Sequence, residues 1–348
     1  MKLGQAFDPR HNALNLWRLI LATGVIFWHS FPLTGNTIDF QPAVRLLSEV
    51  WVDGFFTVSG FLITASWMRR PHLGEYWRAR FLRIFPGLWV CVAVTAFVIA
   101  PIAAAVKHSS LPLSAEFAYV VNNGLLNVFY AGINGTPKDI PWPGVWNGSL
   151  WTLVFELLCY IAVCVLGLLG LLKRQWVLPT LFVASAVWSA YVSYPTMAQQ
   201  TIPQMLARFA VVFLAGALIH QYRDAIPARW SLVALCGVIV VASGFAQNYR
   251  LIAALPLAYA IIVSGALVRR FPLRNDISYG MYIYAFPVQQ LLATLGLVSL
   301  HPTVFFLVAA LCTIPLAAAS WFVVEKRAMA LKHPKRQQVA AGTSSHPK

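Results

Sequence analysis

The chain carries little charge for its length. Only 11% of its 348 residues are charged, whereas 59% are hydrophobic, and the mean hydropathy is +0.67. This composition excludes an ordinary soluble domain with a single core. Because apolar segments of about 20 residues cross a bilayer as helices, the sequence predicts an all-α, polytopic membrane helix bundle.

Cysteine is also scarce. All five cysteines lie within apolar runs, without a Cys-x-x-Cys pair and without a histidine at ligand spacing. They are interpreted as small hydrophobic residues packed among helices. The sequence therefore predicts neither disulfides nor a metal site.

Acidic residues are fewer than basic ones, 11 against 26, and the net charge is +15. In a soluble protein this excess would suggest nucleic acid, but in a membrane chain it is typical of cytoplasmic loops rich in Lys and Arg. No nucleic-acid partner is predicted. A cleaved signal peptide is not indicated either, because Asp8 and Arg10 precede the first apolar run and no small-x-small site follows it.

Ten apolar segments are predicted to be membrane helices. A further stretch, 116–133, is amphipathic and interrupted by polar residues, and it is interpreted as re-entrant or interfacial. We find no internal repeat, and expect one membrane domain over 1–332 and a disordered basic cytoplasmic tail over 333–348. The ten predicted segments are 14–33, 50–68, 84–106, 148–172, 177–194, 205–222, 230–247, 251–268, 277–297 and 303–324.

The distribution of basic residues predicts the orientation. With the N-terminus in the cytoplasm, the inner loops hold most of the 26 Lys and Arg residues, including Arg269, Arg270 and Arg274. An even number of spans then places both termini in the cytoplasm. The protein is expected to lie in a bacterial inner membrane.

Arg18 and His29 lie in the first predicted helix, eleven positions apart. This spacing puts both side chains on one face, about 16 Å apart along the axis. Because such side chains are costly in a bilayer, the pair indicates a functional or water-filled interior. A neutral imidazole acts as a general base or as a nucleophile in acyl transfer. A packing role is the alternative, which the arginine on the same face disfavours.

The second predicted helix carries Asp53 at the end that neighbours His29. A carboxylate there either orients His29 and fixes its tautomer or only caps its own helix. Gly54, Ser59 and Gly60 favour close packing of this helix. Ser59 lacks the complete Gly-x-Ser-x-Gly pattern of a nucleophile and is interpreted as a packing residue.

An arginine-rich loop follows the second helix. It contains Arg78, Arg80 and Arg83, interleaved with aromatic residues, and the last two share a helical face. Arginine binds phosphate bidentately, so the cluster favours a phosphate-bearing ligand. The alternative is an ordinary topology signal in contact with lipid headgroups.

Glu156 lies about two turns inside the fourth predicted helix, where a carboxylate is expensive and needs a reason. It is expected to pair with Arg208 or to join His29 and Asp53 around a pocket. The tyrosines of the segment 276–287 either line a polar cavity or anchor the helix at the interface.

Together, in this order, these segments resemble the membrane acyltransferase-3 family of sugar and polysaccharide O-acetyltransferases. The resemblance covers about residues 15–332, nearly the whole chain. Each motif is weak alone, and the order and spacing make the set specific. The set consists of the Arg18-to-His29 spacing and the segments 52–63, 80–86, 149–160, 277–282 and 321–326.

The resemblance implies a ten-helix membrane enzyme that uses cytoplasmic acyl-CoA, acetyl-CoA above all, to modify glycans or glycolipids. It implies that His29 is the essential catalytic residue, supported by Arg18, and that Arg80 and Arg83 belong to the donor site. Some relatives carry a histidine where this chain has Ala285, so no role is carried over to that position.

These observations define one hypothesis. Acyl-CoA is the expected co-substrate, and no bound cofactor or metal is expected. A glycan or lipid-linked sugar is expected to enter the enzyme from the outer half of the membrane, where lipids surround it. A polar tunnel follows the Arg18–His29 face, opening inwards near Arg83 and outwards near Asp53. The predicted catalytic residues are His29, Arg18, Asp53 and Glu156, and the predicted acyl-CoA ligands are Arg78, Arg80 and Arg83.

A secondary transporter of a proton-coupled or anionic substrate is the alternative from another class. Buried Arg, His and Glu side chains also occur in such proteins. The absence of an inverted repeat and the arginine cluster beside a single helix argue against it.

Overall fold

The computed structural model describes residues 1–127, 129–192, 201–268, 273 and 275–332. It is 74% helical, without a strand in this part of the chain. The predicted all-α membrane bundle is therefore confirmed. Arg269, Arg270 and Arg274 lie outside the described residues, as does the predicted tail over 333–348.

Fourteen α-helices form the described part of the chain. Two π-helical stretches, Thr95–Ile99 and Trp321–Glu325, join α4 to α5 and α13 to α14 without a break. The α-helices are α1 (Leu3–Ala6), α2 (Leu14–Leu33), α3 (Gln41–Arg69), α4 (Leu73–Val94), α5 (Ala100–Val106), α6 (Leu113–Gly124), α7 (Trp151–Leu168), α8 (Val177–Tyr191), α9 (Ile202–Gln221), α10 (Trp230–Ser243), α11 (Arg250–Leu267), α12 (Ser278–Thr294), α13 (Pro302–Ser320) and α14 (Lys326–Ala330).

Each of the ten predicted membrane segments overlaps at least one of these helices. Among the described residues, seven continuous helices are long and apolar enough to cross a membrane. α8 and α10 are apolar but shorter, with 15 and 14 residues. α6 has only 12 residues, too few for the 30 Å of a hydrocarbon core at 1.5 Å per residue, which agrees with its interpretation as a segment that does not span.

Two helices begin well before the predicted segments. α3 starts at Gln41 and α4 at Leu73, because the added turns are amphipathic and fall outside the strongly apolar runs. The sequence predicted a loop for the arginine-rich segment, and this prediction is wrong. Arg78, Arg80 and Arg83 lie in the first turns of α4. Glu49 is likewise placed on α3.

α12 is the central helix of the bundle. Every one of its residues except Leu291 is buried, and it packs against α2, α13 and α4. Tyrosine and glutamine side chains are tolerated there because they face neighbouring protein and not lipid.

α3 and α9 approach closely through two glycines. A Cβ atom on Gly60 would lie 1.9 Å from the carbonyl oxygen of Phe213, and one on Gly216 would lie 2.0 Å from that of Thr57. Small residues allow helix backbones to touch within a membrane. The predicted packing role of Gly60 is confirmed, and α9 is its partner.

This contact predicts the outcome of Gly216→Leu. The side chain has to displace the α3 backbone, and overpacking of this kind costs about 1–3 kcal/mol or more. Thermal unfolding of the purified protein in detergent should show a clear fall in melting temperature. Gly237→Leu is the matched control, because a Cβ on Gly237 of α10 meets nothing within 4 Å. Equal melting temperatures for the two variants would contradict the close contact.

Candidate active site

Arg18 is held at one end of α2 by an aspartate that precedes α12. Asp276 Oδ2 accepts hydrogen bonds from Arg18 at 2.9 Å and from Arg83 of α4 at 2.7 Å. Glu325 lies 3.9 Å from Arg83. We call these four residues the Asp276 cluster. Burial disfavours the ionised carboxyl, but the charges of Arg83 and Arg18 outweigh it and hold the pKa of Asp276 well below its usual range.

A cavity of about 40 Å³ lies beside Arg18 among α2, α3, α7 and α12, and we call it the central cavity. Glu156 faces it, and its Oε1 accepts hydrogen bonds from Ser59 at 3.1 Å and from the Tyr160 hydroxyl. Tyr279 and Tyr282 of α12 form the opposite wall. The structure therefore gives Ser59 a polar contact that its interpretation as a packing residue did not include.

His29 lies further along α2 and packs against α12. Its ring meets Phe286 edge to face at 5.1 Å and Trp142 at 6.3 Å between centroids. Its Nδ1 is buried and has no hydrogen-bond partner among the described residues. Arg18 and His29 thus both face the α12 side, in agreement with the single face that the eleven-residue spacing predicts.

Asp53 belongs to a different group. Its carboxylate accepts hydrogen bonds from Arg208 Nε at 3.2 Å, from Arg250 Nε at 2.6 Å and from the Tyr249 hydroxyl. Glu49 bonds to Arg250 and lies 3.8 Å from Arg208. These five residues form the Asp53 cluster, which ties α3 to α9 and α11.

One of the two alternatives left open for Asp53, and one of the two for Glu156, are therefore wrong. Asp53 does not orient His29, because its side chain is fully buried and both of its oxygens are bonded to the two arginines. Glu156 does not pair with Arg208, because Arg208 is already neutralised by Asp53 and Glu49. The expected outer tunnel mouth near Asp53 is wrong for the same reason, since that position is closed by the cluster.

The three predicted donor arginines occupy three different environments. Arg83 points into the Asp276 cluster, and Arg78 is exposed on the surface of α4. Arg80 is buried, and its guanidinium lies 4.1 Å from the centroid of the Tyr76 ring. Its Nε has no hydrogen-bond partner within the described residues.

Arg80 lines a strongly basic cavity of about 320 Å³ at this end of the bundle. Lys332 lies at the rim of this cavity, where burial and the charges of Arg80 and Arg69 lower its pKa. The basic side chains create a positive potential that favours a bound anion. We call this cavity the basic pocket. Its charged lining residues are Arg10, Arg69, Arg70, Glu75, Arg80 and Lys332.

Comparison with known proteins identifies the family. The acyltransferase-3 family model, described as an acyltransferase domain, matches residues 11–322. The chain belongs to this family. It is therefore a membrane acyltransferase, and the resemblance inferred from its motifs is confirmed.

Two curated proteins of similar length resemble this acyltransferase. An O-acetyl transferase of Shigella phage Sf6 is 28% identical over 94% of this chain and 98% of its own length. Nodulation protein 10 of Rhizobium leguminosarum bv. viciae is 28% identical over 92% of this chain and 94% of its own length. No solved structure matches.

Several acidic site residues were not predicted. Asp276 and Glu325 neutralise Arg18 and Arg83, and Glu49 supports the Asp53 cluster. The signal that would have found them is electrostatic, because the charge of a buried arginine is costly without an acidic partner. In the described part of the chain, no group of three or more His, Cys, Asp or Glu side chains is arranged to hold a metal ion.

The Asp53 cluster predicts that Asp53→Asn is a stability variant. Removing one partner of a buried ion pair costs about 3–5 kcal/mol, since the remaining charges stay buried and uncompensated. The melting temperature in detergent should fall, and transfer activity should fall no further than the amount of folded protein. Asp224→Asn, at a position 79% exposed, is the control. A stable but inactive Asp53→Asn protein would return Asp53 to the catalytic residues.

Proposed function

We propose that this enzyme transfers an acetyl group from acyl-CoA to a hydroxyl of a glycan, polysaccharide or glycolipid. The observation that carries the proposal is the arrangement along α12, where the Asp276 cluster, the central cavity and the unpartnered His29 nitrogen follow one another. Family membership and the name of the phage relative support acetyl transfer to oxygen.

The basic pocket is proposed to bind the phosphates of acyl-CoA. Arg80 lines this pocket, and its ring contact with Tyr76 holds the guanidinium in place. Arginine and phosphate form bidentate, charge-assisted hydrogen bonds. Arg83 is proposed to act less directly, by fixing Asp276 and through it Arg18 at the entrance of the central cavity.

The central cavity is proposed to mark the path of the pantetheine arm towards His29, and its 40 Å³ must widen when acyl-CoA binds. Arg18, Ser59 and Glu156 supply hydrogen-bonding groups along its wall. The aromatic side chains of Phe55 and Tyr282 supply apolar surface. A flexible chain with amide and methylene groups matches such a mixed lining.

Two chemical routes at His29 remain open. As a general base, the imidazole takes the proton of the acceptor hydroxyl while that oxygen attacks the thioester carbon, and CoA leaves as a thiol after receiving a proton. As a nucleophile, the imidazole nitrogen attacks the thioester carbon to form an acyl-imidazole, and CoA leaves as a thiol that takes the ring N–H proton. The acceptor hydroxyl then takes the acyl group and returns its proton to the imidazole. Neither route needs a bound cofactor.

The enzyme is proposed to lie in the bacterial inner membrane with both termini in the cytoplasm. This orientation places the basic pocket on the side where acyl-CoA is found, and it agrees with the basic residues at that end of the bundle. The acceptor would then approach the His29 end from the other side of the membrane.

His29→Ala should abolish transfer while the protein still inserts and folds, because the loss is chemical. Removing an acid–base group lowers the rate by about 10²–10⁴-fold. The measurement is thiol release from acetyl-CoA by purified protein with a panel of hydroxylic acceptors. His301→Ala, at the exposed N-terminal cap of α13, should keep its activity. More than half of the activity remaining in His29→Ala would remove this residue from the mechanism.

Arg80→Ala should raise the KM for acetyl-CoA, because a charge attraction to phosphate is lost, and the difference from wild type should shrink as salt screens that attraction. The KM for the acceptor should change little. Arg78→Ala is the matched control on the same helix, since Arg78 is exposed and does not line the basic pocket. An unchanged donor KM in Arg80→Ala would reduce the basic pocket to a topology signal.

A further inference from the structure

We propose that Trp142 is the stacking platform on which the sugar ring of the acceptor lies beside His29. This inference rests on the proposed function and names the acceptor class as a pyranoside. Trp142 belongs to the segment between α6 and α7, at the His29 end of the bundle.

Three aromatic rings meet at this point. Trp142 lies 5.6 Å from Phe286, and His29 lies 5.1 Å from Phe286 and 6.3 Å from Trp142, with interplanar angles of 81–86°. Edge-to-face contacts of this kind fix the rings relative to one another. The indole is therefore held at a defined place next to the imidazole.

Trp142 keeps part of its surface free. It is 36% exposed, whereas Phe286 in the same group of rings has no exposed surface. A pyranose ring has an apolar face of C–H groups and a rim of hydroxyls. An exposed indole beside a polar reactive group suits both parts, because it offers an apolar face without hiding the hydroxyls from His29.

The backbone around Trp142 is fixed. Pro141 and Pro143 flank it, and proline restricts φ. Gln290 of α12 donates from Nε2 to the carbonyl oxygens of Trp142 at 2.9 Å and of Val145 at 2.6 Å. A platform that is already ordered loses little entropy when a ligand binds.

The adjacent Gln289 holds the other side of the site. Its Nε2 donates to Ile26 O and to Ser30 Oγ, both at 3.0 Å, on the turn of α2 that carries His29. Two consecutive amides of α12 thus hold the His29 turn and the Trp142 segment. The Oε1 atoms of both glutamines are buried and lack a hydrogen-bond partner in the described part of the chain.

The proposal is tested with Trp142→Ala and Trp142→Phe in the purified full-length protein. The assay follows thiol release from acetyl-CoA with methyl pyranosides as acceptors. Trp142→Ala should raise the acceptor KM by about tenfold, with donor KM and acceptor-independent hydrolysis of acetyl-CoA within about twofold of wild type. Trp142→Phe should recover most of the affinity, because a ring face is restored.

Trp176→Ala is the matched control, because Trp176 is 61% exposed at the basic-pocket end. An acceptor KM in Trp142→Ala equal to that of this control would overturn the platform. A parallel rise in donor KM would also overturn it, since it would indicate a general structural defect.

A second readout separates this inference from the proposed function. Saturation-transfer NMR measures the binding of methyl pyranosides without turnover, in the presence and absence of CoA. If wild-type protein binds these sugars and Trp142→Ala does not, the platform stands even where no transfer is detected. If transfer to pyranosides occurs but Trp142→Ala binds and uses them as well as wild type, the proposed function stands and the platform is overturned. If neither binding nor transfer occurs with wild type, the assignment of a pyranoside acceptor is overturned.

Discussion

The neutralisation of buried charge is the constraint on which this bundle depends. Two groups contain two arginines and two carboxylates each: Arg208 and Arg250 with Asp53 and Glu49, and Arg18 and Arg83 with Asp276 and Glu325. In each, one aspartate is shared by both arginines. An unpaired charge in a bilayer is costly, so each group remains close to neutral only when its helices are correctly assembled. The two clusters together use four of the 11 acidic residues of the chain.

The two clusters have different surroundings in the interior of the bundle. The Asp53 cluster closes the contact of α3 with α9 and α11 and leaves no opening there. The Asp276 cluster instead stands at the edge of the central cavity, because Arg18 belongs to both. Glu156 is half-buried and bonds to the hydroxyls of Ser59 and Tyr160. Polar groups that are not part of an ion pair therefore line the central cavity beside Arg18.

Much of the fold followed from the sequence, whereas the partners of its charges did not. Apolar runs of about 20 residues predict membrane helices directly, and the spacing within one helix placed Arg18 and His29 on the α12 side. Spacing within a helix says nothing about which helices become neighbours. Asp53 meets an arginine 197 positions away, and Arg18 meets an aspartate 258 positions away. For this reason the sequence left alternatives for Asp53 and Glu156, and the structure forms neither the Asp53–His29 contact nor the Glu156–Arg208 pair.

α12 explains how the two ends of the site are kept at a fixed distance. Asp276 immediately precedes it, its tyrosines line the central cavity, and Phe286, Gln289 and Gln290 hold the His29 end. From Ser278 to Gln290 the helix rises about 18 Å at 1.5 Å per residue. A site built on one buried helix keeps its geometry better than one built on loops. The segment that carries Trp142 lies outside this helix and is held to it by the two hydrogen bonds that Gln290 donates.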